Sequence, residues 1–387
     1  MFAATPRRNQ RVEEGPVHIP KGKVLGKRWQ VVRKLGAGGC GAVYMVEDLE
    51  SPGSHAAMKA ESNFVAGGSV LKIEVDILKR LAGKDHVAQL LACGKRAEYQ
   101  YMVMTLLGES LSNLLKRMSR CSISTMARIG LHVLHGLKLV HDIGIVHRDI
   151  KPANLVIGQA GTPEMRVIHV LDFGLSREFI LNDENGQPHM RRPRKKALFR
   201  GTTRYCSVAT HDRIEQGRCD DLWSLLYVMV ECRGTLPWGH IRDKAEVAER
   251  KRRTPDQVLL ERCPVQLLDW ATYLRTQTYY TRPDYLKLFY LLQDIMRDGG
   301  YKMNDMWDWE RSGLTSYLPF LSKEARGEPK KQQEAHTTED KTQCNTKTDN
   351  TVTGSAEPCS SKEPTSPATT PKELIPEDDF KVNPFGF

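Results

Sequence analysis

The stretch VHRDIKPANL, residues 146–155, constrains this chain more than any other feature. It puts His147, Arg148, Asp149, Lys151 and Asn154 on one short loop, after a helical stretch from about Ile123 to His141 that Gly144 closes with a C-cap signal. Each residue type has a chemical use there. Asp149 can accept or orient the proton of a hydroxyl, Lys151 can neutralise a phosphoryl group in transit, and Asn154 can offer an amide oxygen to a divalent cation. Twenty-odd residues on, past a predicted strand pair and the turn GQAGTPE, VIHVLDFG reads as a buried strand ending at Asp172. A carboxylate at a strand end can chelate Mg²⁺. Further along, DDLWSLLYVMVE sets Asp221 at the start of an apolar helix, where it either anchors the loop's backbone or caps the helix.

Upstream, LGAGGCGAVY contains Gly36, Gly38 and Gly41 in the spacing G-x-G-x-x-G, with Val43 two residues later. That spacing also serves dinucleotide-binding folds and plain turns, and Glu61 lies about where a dinucleotide fold would want its ribose carboxylate. The residues after the last glycine decide against that fold: AVYMVED alternates and is β-branched, so it predicts a strand and not a helix. The glycines then top a hairpin whose N–H groups can lie over phosphates. Lys59 sits in the apolar strand HAAMKAES. In VLKIEVDILKRL, Val70, Glu74, Ile77, Leu78 and Leu81 share one helical stripe. An inward Glu74 needs a partner and Lys59 is the candidate; the bland alternative leaves Glu74 solvated at the stripe's edge.

These residues in this order resemble the eukaryotic protein kinase fold over about residues 25–320. FRGTTRYCSVATH, residues 199–211, lacks the Ala-Pro-Glu that closes this segment in most kinases. The casein kinase 1 superfamily instead carries Gly-Thr-x-Arg-Tyr-x-Ser and a later histidine, matched here by Gly201, Thr202, Arg204, Tyr205, Ser207 and His211. LPW and RPDYLKL are most similar to its tau-tubulin kinase-like branch. The resemblance implies an α+β, bilobal architecture with a β-rich N-lobe at about 25–107 and a mainly helical C-lobe at about 108–322. It implies Mg²⁺ and ATP, with Leu35, Gly36, Gly38, Gly41 and Val43 covering the nucleotide, Lys59 paired with Glu74, Met104 as gatekeeper, and Thr105 and Leu107 in a hinge running to Gly108. Asp149, Lys151, Asn154 and Asp172 form the catalytic and metal set, and Thr202 bonds Asp149 and Lys151. Lysine at 151 implies serine or threonine acceptors. A catalytically silent scaffold is the competing class; no essential position is substituted.

The family favours acceptors near acidic or phosphorylated residues. Arg194, Arg200 and Arg204, in and beside the basic insert HMRRPRKKALFR, could supply complementary charge; the bland reading is a solvated loop. ERKRRTP, residues 249–255, reads as a solvated helix face, with a nuclear-import or microtubule-facing patch as the alternative. Net charge is +10, and because residues 324–387 carry 12 acidic and 8 basic side chains, the first 323 carry +14. That field suits acidic partners, but no interleaved aromatics or binding motif point to nucleic acid. No apolar run approaches a membrane span, and nine scattered cysteines with no C-x-x-C indicate neither zinc nor disulfides. Residues 1–24 read as flexible and 323–387, rich in Ser, Thr, Glu, Lys and Pro, as a disordered tail that modulates activity, whose EDDFKVNPFGF could dock a partner. Expected partners are protein substrates, cytoskeletal proteins among them; the chain is expected to be monomeric and cytoplasmic, with the nucleus as a second compartment.

Overall fold

Alternating apolar residues build the first layer. In the computed structural model, which describes residues 17–38, 41–65, 68–311 and 375–386, six strands form an antiparallel sheet. They are β1 (Val24–Leu25), β2 (Trp29–Gly38), β3 (Gly41–Asp48), β4 (His55–Ser62), β5 (Leu90–Lys95) and β6 (Tyr99–Thr105), in the order β1-β2-β3-β4-β6-β5. One face buries Val31, Tyr44, Val46, Met58 and Val103 in a core of its own, to which Ile19 is added. Ile19 is held there because the Tyr44 hydroxyl donates to the Val17 carbonyl at 2.6 Å and accepts the Ile19 N–H at 3.0 Å. Residues 17–24 are therefore part of the sheet layer, which corrects the expectation of a flexible segment across 1–24; residues 1–16 lie outside the described residues.

On the opposite face Val43, Lys59 and Met102 stand in register across β3, β4 and β6. Helix α1 (Leu71–Arg80) covers this face with Leu71, Glu74, Ile77 and Leu78; Glu74, Ile77, Leu78 and the following Leu81 are buried as their spacing predicts, whereas Leu71 takes the place expected of half-buried Val70. Successive residues of a strand point to opposite faces, so the lysine and the sheet core part company at Met58 and Lys59.

The second lobe is helical. After α2 (Leu111–Lys116), α3 (Ile123–Asp142) runs through the middle of the core and is buried nearly all round, polar side chains such as Arg128, His132 and Lys138 included. Ser122 caps it by accepting the Thr125 N–H, and Gly144, at φ +77°, turns the chain out of it. Three short antiparallel pairs come next: β7 (Ile145–Val146) with β10 (Arg177–Glu178), β8 (Leu155–Ile157) with β9 (Ile168–Val170), and β11 (Ile180–Asn182) with β12 (Pro188–Met190). Helices α4 (Val208–His211), α5 (Arg218–Arg233), α6 (Lys244–Arg253), α7 (Asp256–Leu259), α8 (Gln266–Arg275), α9 (Tyr285–Asp298) and α10 (Asp308–Arg311) complete the lobe. The architecture is the bilobal one expected, a β-rich lobe followed by a helical one.

One further helix, α11 (Glu377–Lys381), packs on α9 and α3 with Phe380 wholly buried. The expectation that all of 323–387 lacks structure is thus corrected for residues 375–386, which apolar burial of Phe380 fixes; residues 323–374 and Phe387 lie outside the described residues. Among the described residues no helix is long and apolar enough to cross a membrane, and Cys93, Cys121, Cys206, Cys219, Cys232 and Cys263 are free thiols.

Candidate active site

The Lys59 ammonium lies 2.5 Å from Glu74 Oε1 and 3.1 Å from Asp172 Oδ1. Three elements far apart in sequence, β4, α1 and the loop after β9, meet at one nitrogen. Burial pulls the ammonium toward neutrality, but the two carboxylates outweigh it and raise its pKa above the ordinary value. Burial acts on Asp172 in the opposite sense, and Lys59 again prevails, holding that carboxyl below the usual range. The solvated alternative for Glu74 is excluded, since it is 2% exposed.

Above Lys59, β2 and β3 form the glycine hairpin. Gly41 is confined by its neighbours: at φ +107°, a Cβ there would stand 2.2 Å from the Ala60 carbonyl oxygen. Gly36 and Gly38 are exposed, and a Cβ on either would meet nothing within 4 Å. Leu35 and Val43 are half-buried beside them. At the far edge, Met104 on β6 packs against the α1 cluster, the Thr105 hydroxyl accepts the Gln89 N–H at 2.7 Å, and half-buried Leu107 precedes Gly108, whose N–H donates to the Ile157 carbonyl.

The loop after β7 is held from three sides. Asp221 Oδ2 accepts the backbone N–H of His147 at 2.7 Å, Oδ1 accepts that of Arg148 at 2.7 Å, and Oδ2 also meets His141 Nε2 at 2.9 Å. Burial works to raise the Asp221 pKa, yet these donors bring it below the ordinary value. The helix-capping role considered for Asp221 falls to its neighbour: Asp220 accepts the Gly217 N–H at 2.7 Å and the Ser207 hydroxyl at 2.5 Å. His147 packs its ring on Phe173 with centroids 5.2 Å apart, and Arg148 Nε donates to the Leu175 carbonyl at 2.6 Å. Both motifs carry a left-handed residue, Arg148 at φ +69° and Asp172 at φ +68°.

Within the loop Lys151 Nζ lies 2.6 Å from Asp149 Oδ2 and 3.2 Å from the Thr202 hydroxyl, which donates to Asp149 Oδ1 at 2.7 Å. Asn154 turns its amide nitrogen to the Asp149 carbonyl at 2.9 Å, so its oxygen faces away. Gly201 permits the approach of Thr202: at φ +103°, a Cβ would stand 2.5 Å from the Arg148 carbonyl oxygen. A carboxylate fixed by a hydroxyl and an ammonium, beside two side chains with oxygen donors, is equipped to deliver an acceptor hydroxyl to a phosphoryl group.

Residues 29–279 match the model of the protein kinase domain. The chain belongs to the protein kinase family. Among relatives of this kinase, a Caenorhabditis elegans protein named as a serine/threonine-protein kinase is 51% identical over 290 residues, covering 75% of this chain and 84% of its own. A Dictyostelium discoideum protein of the same kind of name is 35% identical over 294 residues, covering 75% of this chain and 58% of its own.

The kinase anchors its FRGTTRYCSVATH segment with side chains that sequence reading missed. Lys251 Nζ, buried in α6, donates to the carbonyls of Thr203 at 2.8 Å and Cys206 at 2.5 Å, and lies over the rings of Tyr227 and Trp238. Trp238 Nε1 donates to the Arg204 carbonyl at 2.8 Å, and the Tyr205 hydroxyl to Glu231 at 2.5 Å. Lys251 thus corrects the reading of ERKRRTP as wholly solvated; Arg250, Arg252 and Arg253 are exposed as expected. Two arginines assigned to substrate charge are already paired. Arg194 bonds both oxygens of buried Glu215, at 2.5 and 2.7 Å, and Arg204 meets Glu231 at 3.0 Å and the Gly239 carbonyl. Arg192, Lys195, Lys196 and Arg200 are exposed.

Proposed function

We propose that this chain transfers the γ-phosphoryl group of Mg-ATP to serine and threonine hydroxyls of proteins. The observation that carries the reading is Lys59 bonded at once to Glu74 and Asp172, because that contact requires sheet, helix and metal-facing loop to be in place together. The residues present fit a nucleotide and a divalent cation. Asp172 and Asn154 offer oxygen donors, which a small hard cation takes, and the open space over Gly36 and Gly38 suits phosphates lying on backbone N–H groups. When bound, the metal ion neutralises charge developing on the phosphates.

The rest is the work of the chain's own residues. Lys59, kept protonated by two carboxylates, presents a fixed positive charge to the nucleotide phosphates. Asp149 accepts or orients the acceptor's proton, Thr202 holds that carboxylate in place, and Lys151 brings positive charge to the same point. Asp221 fixes the backbone of the loop that carries Asp149 and Lys151. Lysine at 151 and the names of both relatives support serine and threonine as acceptors.

The FRGTTRYCSVATH marker supports placement in the casein kinase 1 superfamily, on its tau-tubulin kinase-like side. The acceptor context proposed is acidic or already phosphorylated, with exposed Arg192, Lys195, Lys196 and Arg200 as the complementary charge. The test is transfer of labelled phosphate from ATP with Mg²⁺ to casein and to a basic control protein, for the wild type and Asp172→Asn. Asparagine tolerates left-handed backbone, so this variant isolates the charge. Transfer to casein that vanishes in the variant is expected. ATP binding without transfer to any protein, the kinase itself included, would overturn the reading in favour of a scaffold.

A further inference from the structure

Residues 375–386 bring three apolar side chains at five-residue spacing to the helical lobe. Ile375 packs at the edge of the main core, Phe380 is 1% exposed, and Phe385 joins Val146, Phe179, Ile180 and Met190 in a separate cluster. The Phe380 ring stacks on Phe289 with centroids 4.6 Å apart at 25°, and lies 5.5 Å from the His135 ring. Polar contacts set the direction of the chain. Asp379 Oδ2 meets His135 Nε2 at 2.9 Å, the Tyr290 hydroxyl donates to Glu377 at 2.8 Å, and Arg282 Nη2 donates to the Val382 carbonyl at 2.7 Å.

The walls of this groove belong to α3, α9 and the chain entering β11, elements whose other faces are buried in the lobe itself. The segment contributes one fully buried side chain to that lobe. Its helix α11 is five residues long, too short to hold itself, so the groove imposes its order. A short helix seated by two aromatic anchors and a few directional polar contacts is how a groove recognises a peptide, and aromatic anchors carry most of the energy in such contacts.

We propose that this groove is a peptide-docking site for acidic–aromatic segments of the pattern Asp-Phe-x-x-x-x-Phe, and that residues 375–386 are its ligand in cis. Engagement reaches the catalytic machinery through Phe385. Val146 directly precedes His147, and Phe179 and Ile180 come just after the Asp172-Phe173-Gly174 turn, so the second anchor braces both the catalytic loop's base and the β11–β12 hairpin at once. A partner bearing the same pattern competes for the groove with the chain's own end.

The probe is a fluorescein-labelled synthetic peptide of residues 374–387, with a counterpart in which both phenylalanines at 380 and 385 are alanine. Anisotropy is read on the full chain and on a full chain carrying Phe380→Ala and Phe385→Ala. Covalent attachment gives the native segment a high effective concentration, so the substituted chain should bind the labelled peptide at least about tenfold more tightly than the wild type. The counterpart should bind neither. Equal binding to both chains, no binding to the substituted one, or equal binding of the counterpart overturns the proposal. Should the substituted chain fail to fold, hydrogen exchange on the wild type decides: residues 375–386 should exchange well ahead of α9, and equal protection of the two overturns it. Neither readout uses phosphoryl transfer, so failure here is separate from failure of the proposed activity.

Discussion

The ammonium of Lys251 donates to the backbone carbonyl of Cys206 at 2.5 Å from beneath the segment that would meet a protein substrate. Burial brings the Lys251 pKa down to about 8, so the contact is made by a cation that holds its charge against desolvation. Lys251→Met leaves that carbonyl and the one of Thr203 unpaired, at about 1–3 kcal/mol. Because those carbonyls flank Arg204 and Tyr205, the KM for protein substrate should rise by about fivefold to a hundredfold while the KM for ATP stays put. Steady-state kinetics against both substrates checks this, and an equal rise in both would show that the lobe as a whole had loosened.

Gly41→Ala should unsettle the sheet, because its Cβ would collide with the Ala60 carbonyl and its backbone is left-handed. Gly36→Ala and Gly38→Ala should leave stability within about 0.5 kcal/mol of wild type, the ordinary range of exchanges at open positions, while weakening nucleotide binding. Thermal unfolding paired with ATP titration separates the two effects.

Thr202→Val removes the hydroxyl between Asp149 and Lys151 with little change of shape. A hydrogen bond to a charged group contributes about 1.5–3 kcal/mol, so kcat should fall by about tenfold to a hundredfold. Tm should fall by no more than that one contact is worth, since Lys151 and Asp149 keep their ion pair. A variant that turns over at the wild-type rate would show that Asp149 needs no such orientation.

Acid should destabilise this chain early. His86, His132, His141 and His169 are buried, and burial drives each pKa down, that of His86 to about 3. Unfolded histidines titrate near 6.5, so below that pH the unfolded chain binds more protons and stability falls, by up to about 1.4 kcal/mol per pH unit for each. Asp220 works in the other direction. Burial raises its pKa to about 6, so it loses stability as pH rises through that range and offsets part of one histidine's effect. Tm should be level between about pH 7 and 8 and fall between 6.5 and 5, less steeply in His132→Asn. A flat profile would refute the assignment.

Much of the site is legible because its residues obey a local rule. Glu74 falls on an apolar helical stripe, Lys59 in an apolar strand, and Asp149, Lys151 and Asn154 on one loop, so each betrays itself within ten residues. Lys251 does not, since it sits among Arg250, Arg252 and Arg253 and differs from them only in what lies beneath it. Arg194 reads as free positive charge until Glu215, twenty-one residues on, is folded against it. Asp220 and Asp221 are adjacent acids whose division of labour depends on a one-residue rotation around α5. The segment at 375–386 spaces its apolar residues Ile375, Phe380 and Phe385 five apart, a period that is neither a helix's nor a strand's. Its order comes wholly from a groove built by residues such as Tyr290, 87 positions from its partner Glu377, and His135, 244 from Asp379, a kind of information that local pattern does not hold.

The left-handed backbone at Asp172 and Arg148 costs roughly 1–2 kcal/mol at each position, so both motifs hold the chain below the stability it could reach. At Asp172 that geometry also makes asparagine an easy replacement. A single-nucleotide change then removes the carboxylate, keeps the turn, and spares every contact that Lys59 makes with Glu74. Loss of catalysis and loss of fold are therefore uncoupled at this position, and descendants of such a chain could persist as folded, silent proteins with their docking surfaces intact.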